Sequence, residues 1–564
     1  MRKSAKAFVA LGTASLMLLS ACGGAKNESS AGSGKESGEQ VEVKGADYLK
    51  ADYKDLKDGG TLTLAINELS PQGNPYHQDG TKYTTDLWYM YNPQVALFKD
   101  NGEYYPNPAY VTSAKAEEKD GNTVVTFDIN EKAKWNDGTD IDWTVFRDTW
   151  TINNGKEPEK YPASGTDGYD QIKSVEQGKN ADQAVVTFDG IYSWWQGLFN
   201  NWANPHLVDA DVYSNGYLKQ FHPEWGAGPY TVKSVDFNQG VASFEPNDKW
   251  WGDKPKLDTI TYRYMETQAA INAFKNGEID SVGASSKQTY SAVKDMEGIE
   301  IFSSMMPGNY LLMLNSESEN LKDIKVRQAI MEGIDRSQLA KIVFDGLPYT
   351  EELPGSFTLF ASQPGYEDNF SKAVKFDAAA SKKLLTEAGW KEGSDGIREK
   401  DGKKLSLIYT VTGDSERTKS LAKAYQQMLK QIGVDLQISE RPSSEFSQVY
   451  TKKEFDLFMM GFNSTDPFGV AYFDQIYASD SGLNLSGTGS KEFDKKIAEM
   501  KKIADPEKQT KRAHELEVEA FKTYGIMPIY NGPAMTAVKK GLANYSSYSQ
   551  GFAKIPIEHI GWVK

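Results

Sequence analysis

The sequence predicts an α/β protein, and three observations carry that prediction. Residues 405–411 read as a strand, 415–432 as a helix, and 434–439 and 455–462 as two further strands. That is the βαβαβ order in which crossover helices join parallel strands. Residues 61–66, after Gly59-Gly60, alternate polar and apolar side chains and read as a half-buried strand. Hydrophobic residues are 39% of the 564, and 49 glycines bring the sum near the ~45–50% of ordinary globular chains, enough for large cores.

In chain order, Arg2, Lys3 and Lys6 precede an apolar stretch of 14 residues, 7–20, and Leu19-Ser20-Ala21-Cys22 follows at once. This reads as a secretory signal over residues 1–21. It resembles the bacterial lipoprotein pattern, which implies a diacylglyceryl group on the Cys22 thiol and an acyl chain, such as palmitate, on the new amino terminus. Two or more acyl chains anchor a protein stably. An ordinary signal peptide with a chance cysteine, or a short transmembrane helix, is the alternative, and the stretch is short for a span. Residues 23–40 are half Gly and Ser, a flexible linker that lets a folded body stand off a membrane.

Residues 124–128 and 185–189 both spell Val-Val-Thr-Phe-Asp and read as strands of one small sheet, without the flanking similarity of a duplication. Residues 134–139 make a turn, and Asp142 caps a helix reaching Trp150. Leu421, Tyr425, Met428, Leu429 and Ile432 share one face of the 415–432 helix, which Gly433 ends. Further helices start at Asp335, at Asp377, closed by Gly389, and at Asp505-Pro506. A late apolar strand, 526–530, reads as a return to the first domain.

Composition excludes several functions. Lys plus Arg is 63 against 78 Asp plus Glu, a formal charge of −15, which opposes binding nucleic acid through its phosphates. One cysteine excludes internal disulfides and Cys-cluster metal sites. His77, His206, His222, His514 and His559 form no H-E-x-x-H and no i, i+4 pair, and neither a P-loop nor a G-x-S-x-G elbow occurs. Asp137, Asp140 and Asp142 could pair as glycosidase carboxylates, but acids are abundant throughout. The chain is therefore expected to be no enzyme and to need no cofactor or metal. Aromatics are 12% of residues, with Tyr192, Trp194, Trp195, Phe199 and Trp202 clustered and Trp250-Trp251 adjacent. They serve either core packing or a ligand cleft.

Val125-Thr126-Phe127-Asp128-Ile129-Asn130-Glu131-Lys132-Ala133-Lys134-Trp135-Asn136-Asp137-Gly138 resembles the signature segment of family 5 extracellular solute-binding proteins, the peptide-binding components of ABC importers. Gly228-Pro229-Tyr230 with Trp250-Trp251-Gly252, Asn276-Gly277-Glu278-Ile279-Asp280, Lys325-Val326-Arg327-Gln328-Ala329-Ile330 and Ala388-Gly389-Trp390 follow in the family's order. The resemblance spans roughly residues 60 to 560. It implies an α/β, two-lobed, periplasmic-binding-protein-like fold of class II, with a third, smaller domain inserted in the first lobe. Lobe I would take 46–88, 213–303 and 526–564, the insert 89–212 and lobe II 304–525, after a linker over 22–45.

The resemblance further implies an extracytoplasmic, lipid-anchored monomer that captures oligopeptides by lobe closure and passes them to ABC permease subunits. The same fold binding another solute, such as an oligosaccharide, or serving as a surface sensor or enzyme, stays open. The implied binding residues are Asn67 and Glu68, the strand residues Tyr310, Leu312 and Met313, and Phe462, Asn463, Ser464, Thr465, Asp466 and Phe468 in the loop after the third strand. In peptide-binding members an aspartate of that loop pairs with the peptide's ammonium. Here the loop is shorter and its acid, Asp466, precedes a proline, so it is either that ligand or a turn former. Core packing is the alternative for the strand residues.

Overall fold

The computed structural model describes residues 45–99, 101–361, 363–464, 466–545 and 553–564. Cys22, the signal and Thr465 lie outside them. The first lobe is built on a seven-stranded sheet in the order Ile299–Met305, Pro533–Lys539, Ser281–Gly283, Thr61–Ile66, Thr259–Tyr264, Val241–Pro246, Tyr230–Asp236. Thr61–Ile66 is central and parallel to both neighbours. Its alternation is realised as Leu62, Leu64 and Ile66 turned into the core with Leu87, Tyr91 and Phe244.

The second lobe carries a five-stranded sheet in the order Asp435–Arg441, Ser406–Thr412, Leu457–Asn463, Gly308–Leu314, Ile526–Tyr530. Ser406–Thr412 is parallel to both neighbours, as the crossover pattern requires. Helix Glu416–Gln431 makes the crossover and buries Leu421, Tyr425, Met428 and Leu429. Gly433, at φ +90°, turns the chain out of it. Asp335, Asp377 and Asp505 cap their helices, accepting from the N–H groups of Ser337, Ala379 and Lys508 respectively.

Within the first sheet's stretch of chain, between Thr61–Ile66 and Tyr230–Asp236, an antiparallel four-stranded sheet runs Val111–Lys119, Asn122–Ile129, Gln183–Phe188, Ile172–Gln177. The two Val-Val-Thr-Phe-Asp segments pair with each other, Val125 opposite Val186. The aromatic cluster of the sequence packs here. Tyr192, Phe199 and Trp202 are buried in the core with Phe127 and Phe146, and Trp250 and Trp251 pack against Tyr110.

The chain passes between the two large sheets at 306–307 and at 531–532. These places differ from the expected 304 and 526. Ile299–Met305 pairs along its whole length with Pro533–Lys539 in the first sheet. Ile526–Tyr530, apolar on both faces, pairs with Gly308–Leu314 at the edge of the second sheet, and it is Pro533–Lys539 that returns. Among the described residues no helix is long and apolar enough to cross a membrane.

Candidate binding cleft

The crossings bring two tyrosines to the floor between the lobes. Tyr310 and Tyr530 are register partners on adjacent strands, and their rings stack at 4.2 Å and 16°. The Arg417 guanidinium, from the first turn of helix Glu416–Gln431, lies 5.7 Å from the Tyr530 ring, and its Nη1 donates to the Ser285 carbonyl of the first lobe at 2.8 Å. Burial would lower its pKa, but Tyr530 and Tyr310 outweigh that and raise it.

Lys82 and Tyr83, from helix Lys82–Tyr91, complete the floor. Lys82 Nζ pairs with Asp86 at 2.9 Å and sits 4.9 Å from the Tyr83 ring. Its side chain is 47% accessible, yet the surrounding protein desolvates it; Asp86, Tyr83 and Tyr310 override that desolvation and hold the ammonium above its usual range. Two cations and a set of tyrosine faces therefore front one cleft, a surface suited to a solute with acidic and aromatic or apolar parts.

The expected residues divide. Asn67 is exposed, and its carbonyl lies 2.9 Å from Ser443 Oγ across the lobes, where it competes with Glu266 Oε1 at 2.8 Å for the one hydroxyl proton. Glu68 is 2% exposed; Oε1 accepts Ser447 N–H at 3.2 Å, while Oε2 is buried with no donor among the described residues. Burial raises its pKa, with Ser447 opposing. Tyr310 reaches the cleft floor. Leu312 and Met313 do not: both are wholly buried, in cores on opposite faces of the sheet, because neighbouring strand residues point opposite ways.

Phe462 packs edge-on to Phe357 at 5.6 Å, Asn463 pairs with Gly308, and Ser464 N–H donates to the Pro307 carbonyl at 2.7 Å, beside the first crossing. A Cβ at Gly308 would meet the Phe462 carbonyl oxygen at 2.9 Å as well as Asn463 Oδ1 at 2.5 Å, so the close backbone approach favours glycine. Asp466 is fully buried; Oδ1 accepts Phe468 N–H at 2.9 Å and Oδ2 the Tyr472 hydroxyl at 2.5 Å. The Phe468 ring lies 6.0 Å from that of Trp194 and 6.3 Å from that of Phe98, at the seam with the inserted domain.

Sequence reasoning missed Lys82, Arg417 and Tyr530. A signal existed for Arg417, which stands four residues before Leu421 and so continues the buried stripe of its helix with a charge. Lys82 and Asp86 likewise show the i, i+4 spacing of a helical ion pair. Among the described residues no group of acids and histidines is arranged to hold a metal ion.

Hydrogen bonds lace the lobes beside the cleft. Glu266 Oε1 accepts both Ser443 N–H and Ser443 Oγ at 2.8 Å, and Asp414 Oδ1 accepts Thr267 N–H at 3.1 Å.

Residues 105–484 match the model for bacterial extracellular solute-binding proteins, family 5 middle. The chain is similar to the oligopeptide-binding protein OppA of Mycobacterium tuberculosis H37Rv, 30% identical over 526 residues, 92% of this chain and 87% of that one. In structure it is similar to the periplasmic EDTA-binding protein EppA, with TM-score 0.78, 22% identity and coverage of 93% and 99%. It is also similar to AppA of Bacillus subtilis in complex with a nonapeptide, with TM-score 0.75, 21% identity and coverage of 90% and 100%.

Proposed function

The chain belongs to the family 5 bacterial extracellular solute-binding proteins, and from that premise we propose that it captures oligopeptides between its lobes and delivers them to ABC permease subunits. It is a solute-binding protein and not an enzyme. The observation that carries the peptide reading is the cleft floor. Tyr310 offers an apolar ring to side chains, with the buried Tyr530 stacked behind it, and Lys82 and Arg417 offer cations to a carboxylate. The full-length likeness to an oligopeptide-binding protein supports the same reading.

Native mass spectrometry of the purified protein tests it. Co-purified peptides are the expected result, and a defined non-peptide ligand is the result against it. A small polyanionic solute is the second reading, favoured by the two floor cations and by the likeness to an EDTA-binding protein.

Attachment through Cys22 holds this function at the outer face of the membrane. Cys22→Ala should abolish lipid labelling and release folded protein. Unchanged partitioning into detergent would exclude the anchor.

A further inference from the structure

A second seam joins the inserted domain to lobe II, and its chemistry is distinct from that of the cleft. Lys501 Nζ, from lobe II, pairs with Asp474 Oδ2 at 2.5 Å on its own lobe and with Asp170 Oδ2 at 2.7 Å on the inserted domain. Asp167, three residues before Asp170, is 3% exposed, and neither of its oxygens has a donor among the described residues. Asp474 Oδ1 is also buried without a donor among the described residues, and after burial itself Asp474 is the neighbour that acts most strongly on Asp167. Around them Ser193 Oγ reaches the Ala504 carbonyl at 3.1 Å and the Tyr472 hydroxyl reaches the Gly197 carbonyl at 3.2 Å, so the seam is closed.

Asp170 keeps 36% of its side chain in solvent, but Asp167 does not, and the Lys501 ammonium is already engaged by Asp474 and Asp170, so an ionised Asp167 would be a buried charge with no donor, which such a site cannot hold at ordinary cost. The Asp167 and Asp474 carboxyls are acceptors only unless one of them is protonated, and protonation turns one into a donor to the other. We propose that Asp167 and Asp474 share one proton across this seam, so that closing the inserted domain onto lobe II takes up a proton and opening releases it. The inference rests on the lobe-closure reading above and adds to it that closure is favoured by acid.

The groups facing the pair are Asp170 and Tyr192 from the inserted domain and Lys501 from lobe II. Burial first, then Asp474, push Asp167 well above the usual carboxylate range, and Lys501 only partly opposes them. The sign follows. The closed form binds more protons than the open form between the ordinary carboxylate pKa and the raised one. Closure therefore weakens as pH rises through that window and is fully supported below it. With one proton linked, the closing constant falls about tenfold per pH unit. Glu68, a buried carboxyl at the other seam, adds its own dependence, which cancels when variants at Asp167 are compared.

The test uses no solute, so its failure is distinct from failure of the peptide reading. Spin labels are placed at Glu159→Cys and Lys508→Cys in a Cys22→Ser background, and the closed fraction is read from the distance distribution across pH. Infrared spectroscopy reads the carboxyl stretch in the same samples. We expect the closing constant to fall with pH in the parent, with a slope about one proton smaller in Asp167→Asn, whose amide replaces the proton as donor. We also expect a protonated-carboxyl band at neutral pH that Asp167→Asn removes. Asp474→Asn gives the same readouts should Asp167→Asn fail to fold. A closed fraction insensitive to pH in the parent, or parent-minus-variant spectra with no protonated-carboxyl band for either substitution, overturns the proposal; Glu558, whose pKa burial raises to about 7, cancels in that difference.

Discussion

Asp466 satisfies its own backbone and its neighbour before it meets any solute. Oδ1 on Phe468 N–H and Oδ2 on the Tyr472 hydroxyl are the contacts that the turn-forming alternative asks of an aspartate before Pro467. Asp466→Ala should cost about 1–3 kcal/mol of stability, because two buried donors lose their acceptor. Asp466→Asn keeps an acceptor and should leave unchanged the ratio of affinities for a free peptide and its N-acetylated twin, measured by calorimetry. A ratio that collapses in Asp466→Asn would make Asp466 the ammonium ligand. Close by, Lys554 is buried over the rings of Tyr89 and Phe98, and burial lowers its pKa to about 8, with Asp466 opposing. Above that value the folded protein has released the proton while the unfolded chain keeps it up to its ordinary pKa of 10.5. Unfolding free energy should therefore rise with pH across that window, by up to about 1.4 kcal/mol per unit. Lys554→Met should lack that rise in urea melts at several pH values.

At the scale of elements, the second crossing is clamped by one side chain. The Glu351 carboxylate accepts Asn531 N–H at 2.7 Å, Gly532 N–H at 2.8 Å and the Tyr349 hydroxyl at 2.8 Å, and Gly532 takes φ +80° to allow the turn. Glu351→Ala strips two backbone donors of their acceptor, at about 1–3 kcal/mol each. It should speed amide exchange at 531–532 and lower the denaturation midpoint, with Glu351→Gln intermediate. Stability and exchange that match the parent would show the clamp to be idle. This contact also marks where sequence reasoning stops. Caps such as Asp377 and Asp505, the helical stripe from Leu421 to Leu429 and the alternation of Thr61–Ile66 are legible because their causes lie within a few residues. Glu351 and Asn531 are 180 residues apart, and Arg417 and Ser285 are 132 apart. Nothing local announces such pairs. The same limit explains Leu312 and Met313, which pattern alone assigned equally to cleft and core, and Ile526–Tyr530, whose apolar faces suit either sheet until its partner is known.

At the scale of the whole molecule, binding by closure makes residues that touch no solute control affinity. Glu266 is the sharpest case, since its carboxylate receives both the N–H and the hydroxyl of Ser443 from the opposite lobe while also accepting the Tyr264 hydroxyl at 2.9 Å on its own. Hydrogen bonds to a charged group contribute roughly 1.5–3 kcal/mol each, so Glu266→Ala should weaken closing by about 3 kcal/mol, on the order of a hundredfold. How that loss is expressed depends on the resting population. If the solute-free protein is mostly open, the whole factor passes into Kd and its radius of gyration is unchanged. If it is mostly closed, the variant opens, its radius of gyration grows, and Kd rises by less, because part of the loss only removes an excess of closed form. Calorimetry with a peptide identified by native mass spectrometry, paired with small-angle scattering of the solute-free variant, separates these cases. An unchanged Kd together with an unchanged radius would mean that the bonds between Glu266 and Ser443 do not contribute to closure.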